Sequence, residues 1–302
     1  MNNWVSYRNG NYNVHFNRRN GTKIRKNDLD FFDPEFPESM DIKITNKCSH
    51  MCKCCHENST PDGKHGDILN SKFFDTLNPY TELAIGGGNP LEHPDLEAFL
   101  HKCKEKNLIP SMTVHQSDFI DNIDLLRQYR DDNLIYGLGV SISYVTHELI
   151  ELLKEFPNAV CHIIAGIASE AVINRLAPND LKILILGYKV FRRGEDLYKK
   201  HSTYIDFLIQ YMYDLLPKMV EEKWFDTISF DNLAIKQLNP SRIMSSAEYD
   251  EFFMGNDGQF TMYIDLVNEQ FAVSSTSEER YPLTNNIVDM FNKVKEVSGN
   301  AR

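Results

Sequence analysis

Four of the six cysteines in the chain lie within one short stretch, 48-CSHMCKCCHE-57. Cys48, Cys52 and Cys55 have C-x3-C-x2-C spacing, and Cys54 stands between the last two of them. Three thiolates on one tight loop can bind three irons of a [4Fe–4S] cluster and leave the fourth iron open for another ligand. The spacing therefore predicts iron–sulfur chemistry at this loop.

Two other chemistries compete for the same cysteines. A structural zinc site usually takes ligand pairs from separate parts of the chain, whereas these thiols share one loop. Cys52 and Cys55 have the C-x-x-C spacing of a redox dithiol. Neither alternative gives Cys48 a role, but a thiol oxidoreductase and a non-catalytic iron–sulfur or zinc protein both remain open interpretations.

The segments around the loop predict an α/β fold. Short apolar strands alternate with helical patterns six times, which is typical of a parallel sheet covered by helices. Six units are two short of a closed eight-unit barrel, so we expect a partial (β/α)6 TIM-like barrel over residues 40–222. Residues 1–39 predict a small N-terminal hairpin and linker, and residues 223–302 predict a β-rich C-terminal extension. The six predicted strands cover residues 40–45, 82–86, 111–114, 137–143, 159–165 and 181–187, and the predicted helices lie near 70–78, 95–106, 118–130, 146–155, 168–176 and 201–221.

A glycine-rich turn follows the second predicted strand, in 84-AIGGGNPLEHPDL-96. Successive glycines let a ligand approach backbone N–H and C=O groups closely. Tight turns use glycine in many proteins, so this feature gains weight only from its place after the cysteine loop.

Together the two motifs resemble the radical S-adenosylmethionine (SAM) superfamily. In that family the cysteines matching Cys48, Cys52 and Cys55 ligate the cluster, and a Gly-Gly-Glu-Pro-like turn binds the SAM amino group. The residue before the third cysteine is usually aromatic in the family; here it is Cys54, which the resemblance implies is not a ligand. The turn here lacks the acidic residue, so the resemblance assigns the contact to its backbone and to Asn89.

The resemblance extends to residues on the later strands. Each candidate has an ordinary alternative: the serines can bond locally to the backbone, Ile163 can belong to the core, and Lys189 can be solvated or pair with a carboxylate. The roles of Cys54, His56, His65 and His115 stay open. The candidates implied for SAM binding are Gly86, Gly87, Gly88, Asn89, Ser141, Ser143, Ile163, Tyr188 and Lys189.

The resemblance also implies a reaction. A reduced cluster would cleave SAM to methionine and a 5′-deoxyadenosyl radical, which abstracts hydrogen from a substrate. A one-electron donor such as flavodoxin or ferredoxin would serve as partner. We expect the C-terminal extension and the polar loop 56–67 to cover the mouth of the barrel and select the substrate.

The composition limits the class of substrate and the cellular location that we expect. A net charge of −11 and a pI near 5.4 argue against nucleic acid as a ligand. The N-terminal residues lack an apolar signal segment and no apolar run is long enough to cross a membrane, so we expect a cytoplasmic protein without membrane contact. No cysteine follows Cys161, so no second C-terminal cluster is expected. The sequence favours a small or nucleotide-like substrate, with a peptide or protein substrate as the alternative.

Overall fold

The chain begins with a small antiparallel sheet. The computed structural model describes residues 3–29 and 31–300. Strands β1 (Trp4–Asn9) and β2 (Tyr12–Asn17) form the predicted hairpin, and β3 (Lys23–Lys26) pairs with β2 on its other side. Alternate residues of β2 lie on its buried face, as strand geometry requires. Tyr12, Val14 and Phe16 form there a small core with Ile109 and Phe260, so this sheet packs against later parts of the chain.

All six predicted parallel strands are confirmed, and they are neighbours in one sheet in chain order. Every adjacent pair is parallel, from the first of these strands to the last. The strands are β4 (Ser39–Thr45), β5 (Glu82–Gly87), β6 (Ile109–His115), β7 (Gly137–Ser141), β8 (Ala159–Ile164) and β9 (Lys182–Leu186).

The sheet continues at both edges with strands from residues 223–302. β10 (Thr227–Phe230) pairs in parallel with β9, and β11 (Thr261–Asp265) pairs in parallel with β4. β12 (Gln270–Ala272) and β13 (Tyr281–Pro282) add an antiparallel end, and the described strands do not close into a ring. An α/β fold with a mostly parallel open sheet is thus confirmed, whereas the count of six units is not. The domain boundary at residue 222 stays a prediction.

Helices cover one face of this sheet. Three helix predictions were wrong in detail. Residues 70–78 form only a 3-10 turn over Lys72–Thr76, and the helix expected at 118–130 is divided at Asn122. The long helix begins at Arg193, eight residues before the predicted start, and His201 interrupts its helical dihedrals. The α-helices are α1 (Leu96–Glu105), α2 (Gln116–Asp121), α3 (Ile123–Asp131), α4 (His147–Lys154), α5 (Glu170–Leu176), α6 (Arg193–Glu221), α7 (Asn232–Leu238), α8 (Ser246–Phe252) and α9 (Ile287–Val297).

The two faces of the parallel sheet differ in chemistry. Side chains on the helix-facing side are buried and apolar, for example Ile42, Ile85 and Val140. The alternate positions on the inner face carry polar groups such as Lys43 and His162. The main hydrophobic core therefore lies between sheet and helices, and the inner face is left for a site. Across the described residues, no helix combines the length and apolarity that a membrane span would need.

Candidate active site at the carboxyl ends of the strands

The cysteine loop leaves β4 and is held by its own backbone. The N–H of Cys48 donates to the carbonyl of Thr60 (2.9 Å), and the N–H of Thr60 donates to the carbonyl of Asn46 (3.0 Å). The N–H of Asn46 donates in turn to the carbonyl of Lys64 (2.7 Å). These bonds fold the loop back on its own start, so the thiols stand at the carboxyl end of β4. Barrel enzymes place their chemistry at this end of the strands.

The four loop cysteines are free thiols of unequal exposure. Cys52 is exposed, and Cys48 and Cys55 are half-buried. Burial, followed by repulsion from the neighbouring loop thiolates, raises the pKa of Cys48 and of Cys52. Burial raises the pKa of Cys54 to about 11. A bound metal ion would act in the opposite direction, because it lowers the pKa of a coordinating thiol and holds it as the thiolate.

The donor set fits an iron–sulfur cluster in chemistry. Three thiols on one loop match the ligand requirement of a cluster with one open iron. Within residues 3–29 and 31–300, no three His, Cys, Asp or Glu side chains are already grouped closely enough to hold a metal ion. Assignment of the cluster to Cys48, Cys52 and Cys55 therefore stays a prediction.

The glycine turn packs directly against the start of the cysteine loop. The N–H of Gly88 donates to the carbonyl of Thr45 (2.7 Å), and that of Asn89 donates to the carbonyl of Lys47 (2.8 Å). A Cβ at Gly88 would lie 2.1 Å from the Lys47 carbonyl oxygen, whereas a Cβ at Gly86 would meet nothing within 4 Å. Gly88 thus permits close packing of two loops, and Gly86 faces open space that a ligand can enter.

Asn89 and Gly87 serve this turn in other ways. The Asn89 side chain accepts the N–H of Leu91 (3.1 Å), which caps the following 3-10 turn. Gly87 has a φ of +104°, a conformation that L-residues rarely adopt. Both residues shape the turn, and their predicted contacts with SAM stay predictions.

A second polar group joins the cysteine loop to the end of β6. The Nε2 of His50 lies 2.6 Å from a carboxylate oxygen of Asp118, and its ring centre lies 4.1 Å from that of His115. His115 Nε2 lies 3.3 Å from the Ser143 hydroxyl. Burial, followed by the charge of His50, lowers the pKa of His115. The structure therefore brings two predicted candidates, His115 and Ser143, to the mouth beside the cysteine loop.

Gln116 positions Ser143. Its side-chain oxygen accepts the N–H groups of Ser143 (2.6 Å) and Tyr144 (3.0 Å), while its buried side-chain nitrogen has no hydrogen-bond partner. Ser141 is half-buried on the inner face, in register with His115 of β6 and His162 of β8. Both predicted serines therefore border the inner space, Ser143 at its rim and Ser141 further in.

Two other candidates are enclosed by protein. Ile163 is 1% exposed and belongs to the helix-facing core, whereas its neighbour Ile164 lies on the opposite face. Tyr188 is 2% exposed, and its hydroxyl donates to the carbonyl of Gly194 (2.7 Å). Burial raises the pKa of Tyr188 to about 12. Neither side chain presents an exposed face to a ligand, and their contact with SAM stays a prediction.

Lys189 belongs to a network that joins the cysteine loop to the C-terminal segment. Its Nζ lies 3.3 Å from His56 Nε2 and 3.1 Å from the Ser275 hydroxyl. The adjacent Glu57 accepts the Tyr263 hydroxyl (3.0 Å) and pairs with Lys43 (3.1 Å). These contacts connect the loops that follow β4 and β9 with β11 and the segment after β12.

His65 has local partners instead. Its Nδ1 lies 2.9 Å from the Thr45 hydroxyl, and its ring meets that of His93 edge-on at 4.8 Å. Burial, followed by the charge of His93, lowers the pKa of His65. This histidine supports the folded loop.

Several inner-face residues escaped the sequence prediction. Asp41 and His162 both lie on the inner face of the sheet. The surrounding protein raises the pKa of Asp41, and burial lowers the pKa of His162 to about 4. The ring of His162 occupies the space that a Cβ at Gly139 would fill. The sequence held no local signal for them, because their neighbours come from distant segments.

No family model matches the chain. No curated protein matches it either. Among solved structures, Streptococcus suis SuiB bound to its precursor peptide SuiA has a TM-score of 0.59 at 12% identity, over 96% of this chain and 87% of SuiB. SuiB bound to S-adenosylmethionine has a TM-score of 0.58 at 13% identity, over 93% of this chain and 85% of SuiB.

SuiB is a radical SAM enzyme. At this level of identity the likeness establishes architecture, and it spans the N-terminal sheet and the C-terminal segment as well as the parallel strands. The chain therefore shares the fold of SuiB.

Proposed function

We propose that the chain is a radical SAM enzyme that acts on a peptide. The main support is the C-x3-C-x2-C loop at the carboxyl end of β4. The chain also shares the fold of SuiB, which has been seen with SAM and with a precursor peptide. When bound, a [4Fe–4S] cluster would supply the electron that cleaves SAM to methionine and the hydrogen-abstracting 5′-deoxyadenosyl radical.

The residues of the chain divide this work by position. Cys48, Cys52 and Cys55 would hold the cluster, and the backbone of the turn at Gly86 would receive the amino group of SAM. His115 and Ser143 border the same mouth. The protein would place the reactants and exclude water around them.

The rim of the mouth favours a peptide over the small or nucleotide-like substrate that the sequence suggested. Four apolar side chains stand exposed in the loops that follow four different parallel strands. Exposed apolar groups on loops at one end of the sheet offer contacts to an extended ligand such as a peptide. They are Met51, Tyr144, Ile167 and Val190, each between 39% and 52% exposed.

Formation of 5′-deoxyadenosine tests the proposed chemistry. After anaerobic iron–sulfur reconstitution, SAM and dithionite are added and the product is measured by mass spectrometry. We expect the native protein to form it and Cys55→Ala to form none, because a cluster ligand is lost. Cys103→Ala is the matched control, since Cys103 is a buried helix residue away from the loop.

Other outcomes point to other functions. Equal product from Cys55→Ala would contradict the assignment of the cluster. A reconstituted four-iron protein that neither binds SAM nor forms product would favour a non-catalytic iron–sulfur protein. A colourless protein whose activity depends on Cys52 and Cys55 but not on Cys48 would favour a thiol oxidoreductase.

A further inference from the structure

Two cations converge on one buried serine beside the mouth. Lys189 Nζ donates to the Ser275 hydroxyl (3.1 Å), and Arg280 Nη2 donates to the Ser275 carbonyl (2.6 Å). Ser275 is 8% exposed. Lys189 follows β9 and Arg280 precedes β13, so the two charges reach this point from distant parts of the chain.

Two buried carboxylates of this network, Glu57 and Asp265, form ion pairs with other cations. Glu57 pairs with Lys43 (3.1 Å) and Arg192 (3.6 Å), and Asp265 pairs with the same Lys43 (3.4 Å). In the part of the chain that the structure describes, neither Lys189 nor Arg280 lies within 4.0 Å of a carboxylate oxygen. The inner-face Asp41 interacts with Lys189 only over a longer distance.

Arg280 retains an unused donor. Its Nε donates to the carbonyl of Ser277 (2.9 Å), and its guanidinium lies over the ring of Tyr263, 4.9 Å from the centre. Its Nη1 is buried and has no hydrogen-bond partner. A buried, unsatisfied donor on a charged group is costly, and an anionic acceptor would remove that cost.

The other neighbour of Lys189 does not compensate its charge. An ammonium group only donates hydrogen bonds, so the Nε2 of His56, 3.3 Å away, must act as the acceptor. His56 in that contact is a neutral imidazole. Lys189 and Arg280 therefore both contact Ser275 without a carboxylate partner within 4.0 Å among the described residues, and Arg280 keeps one free donor.

We propose that Lys189 and Arg280 form a subsite that binds a carboxylate of the substrate peptide, from an acidic side chain or the C-terminus. This inference rests on the proposed function. SAM also carries a carboxylate, but Ser275 and Arg280 belong to the segment between β12 and β13, apart from the glycine turn on β5. That placement favours the substrate as the source of the anion.

A pair of small probes tests the subsite directly. N-acetyl-aspartate N-methylamide and N-acetyl-asparagine N-methylamide differ only in the charged group, and their binding is followed by ligand-observed NMR. We expect the native protein to bind the aspartyl probe about ten-fold more tightly than the asparaginyl probe, the scale of one charged hydrogen bond. Lys189→Met/Arg280→Met should lose this preference.

A matched control keeps the change in charge constant. Lys199→Met/Lys218→Met removes two exposed cations of α6 and should keep the preference. The single variants Lys189→Gln and Arg280→Gln provide the test if the double variant fails to fold, and each should reduce the preference. Equal binding of the two probes by native protein, or an unchanged preference in the folded variants, would overturn the subsite.

Equilibrium dialysis with SAM separates the two sources of carboxylate. Unchanged SAM affinity in Arg280→Gln, with no displacement of the aspartyl probe by SAM, supports a substrate subsite. Weaker SAM binding together with displacement of the probe would assign the carboxylate to SAM and overturn the inference. Failure of the proposed function is visible independently, as absence of 5′-deoxyadenosine from native protein.

Discussion

At the scale of single residues, Gly86 and Gly88 form a natural matched pair. They lie two positions apart in the same turn, but only Gly88 is pressed against the cysteine loop. Gly86→Ala should leave thermal stability nearly unchanged, because its Cβ enters open space. The same Cβ should weaken SAM binding about ten-fold or more, as it fills the space where the amino group is expected.

Gly88→Ala should behave in the opposite way. Its Cβ would overlap the Lys47 carbonyl, and relief of that overlap should cost about 1–3 kcal/mol and lower the melting temperature by several degrees. Thermal unfolding of both variants and SAM dialysis on reconstituted protein measure the difference. Native SAM affinity in a stable Gly86→Ala protein would contradict the proposed approach of SAM to this turn.

Residue spacing predicted the iron–sulfur chemistry but not the polar partners. Cys48, Cys52 and Cys55 are close in sequence, so their shared loop was visible without a structure. The contacts of Asp118 with His50 and of Tyr263 with Glu57 join residues 68 and 206 positions apart. Local patterns carry no signal for such pairs, which depend on how strands and loops meet in space.

At the scale of elements, helix α6 contains a proline that a distant residue compensates. Pro217 has no N–H, so the carbonyl of Tyr213, four residues earlier, loses its helical partner. Arg242 donates to that carbonyl, and its guanidinium lies over the Tyr213 ring, 3.7 Å from the centre. The turn after α7 thereby supplies the hydrogen bond that the helix lacks.

A double-mutant cycle measures this compensation. Arg242→Met should lower the free energy of unfolding by about 1 kcal/mol in the native background. The loss should be smaller when Pro217→Ala restores the helical N–H, because the carbonyl then keeps a partner while the ring contact is lost in both backgrounds. Urea unfolding gives the four values, and Lys199→Met in each background is the control. Equal losses of unfolding free energy from Arg242→Met in the two backgrounds would show that Arg242 does not stabilise the protein through the Tyr213 carbonyl.

At the scale of the whole molecule, the sheet order depends on pairing that periodicity could not reveal. Apolar strands followed by helices predicted the run from β4 to β9, because each strand pairs with the next one in the chain. β11 instead pairs with β4, more than 200 residues earlier, and β10 extends the opposite edge. The β-rich extension predicted for residues 223–302 carried no sign that two of its strands would join the parallel sheet.

The N-terminal sheet is fastened to the amino ends of the parallel strands by a buried group of charges. Glu38, directly before β4, accepts two hydrogen bonds from Arg25 (2.8 and 2.9 Å) and pairs with Lys23 (3.1 Å). Lys23 also pairs with Glu82 of β5, and the Tyr12 hydroxyl donates to Glu38. Two strands of the small sheet are thus tied to the first two parallel strands through two carboxylates, Glu38 before β4 and Glu82 of β5.

Acid should loosen this attachment. Burial acts to raise the pKa of Glu38, but Lys23 and Arg25 outweigh it, so the pKa lies below its ordinary value of 4.5. A group with a lowered pKa in the folded state adds stability above its unfolded pKa, and that stability is lost as pH falls through the folded value. The native free energy of unfolding should therefore decline from about pH 5 downward, partly because Glu38 must be protonated.

Glu38→Gln isolates that contribution. It should lower the free energy of unfolding at pH 7 by about 3–5 kcal/mol, because Lys23 and Arg25 lose their buried anion. Its stability should also fall less steeply than that of the native protein as the pH is lowered from 5. Urea unfolding between pH 7 and pH 3.5 measures both effects, with the exposed Glu251→Gln as control. A parallel pH profile for native protein and Glu38→Gln would mean that other carboxylates govern acid unfolding and that the charge group does not fasten the two sheets.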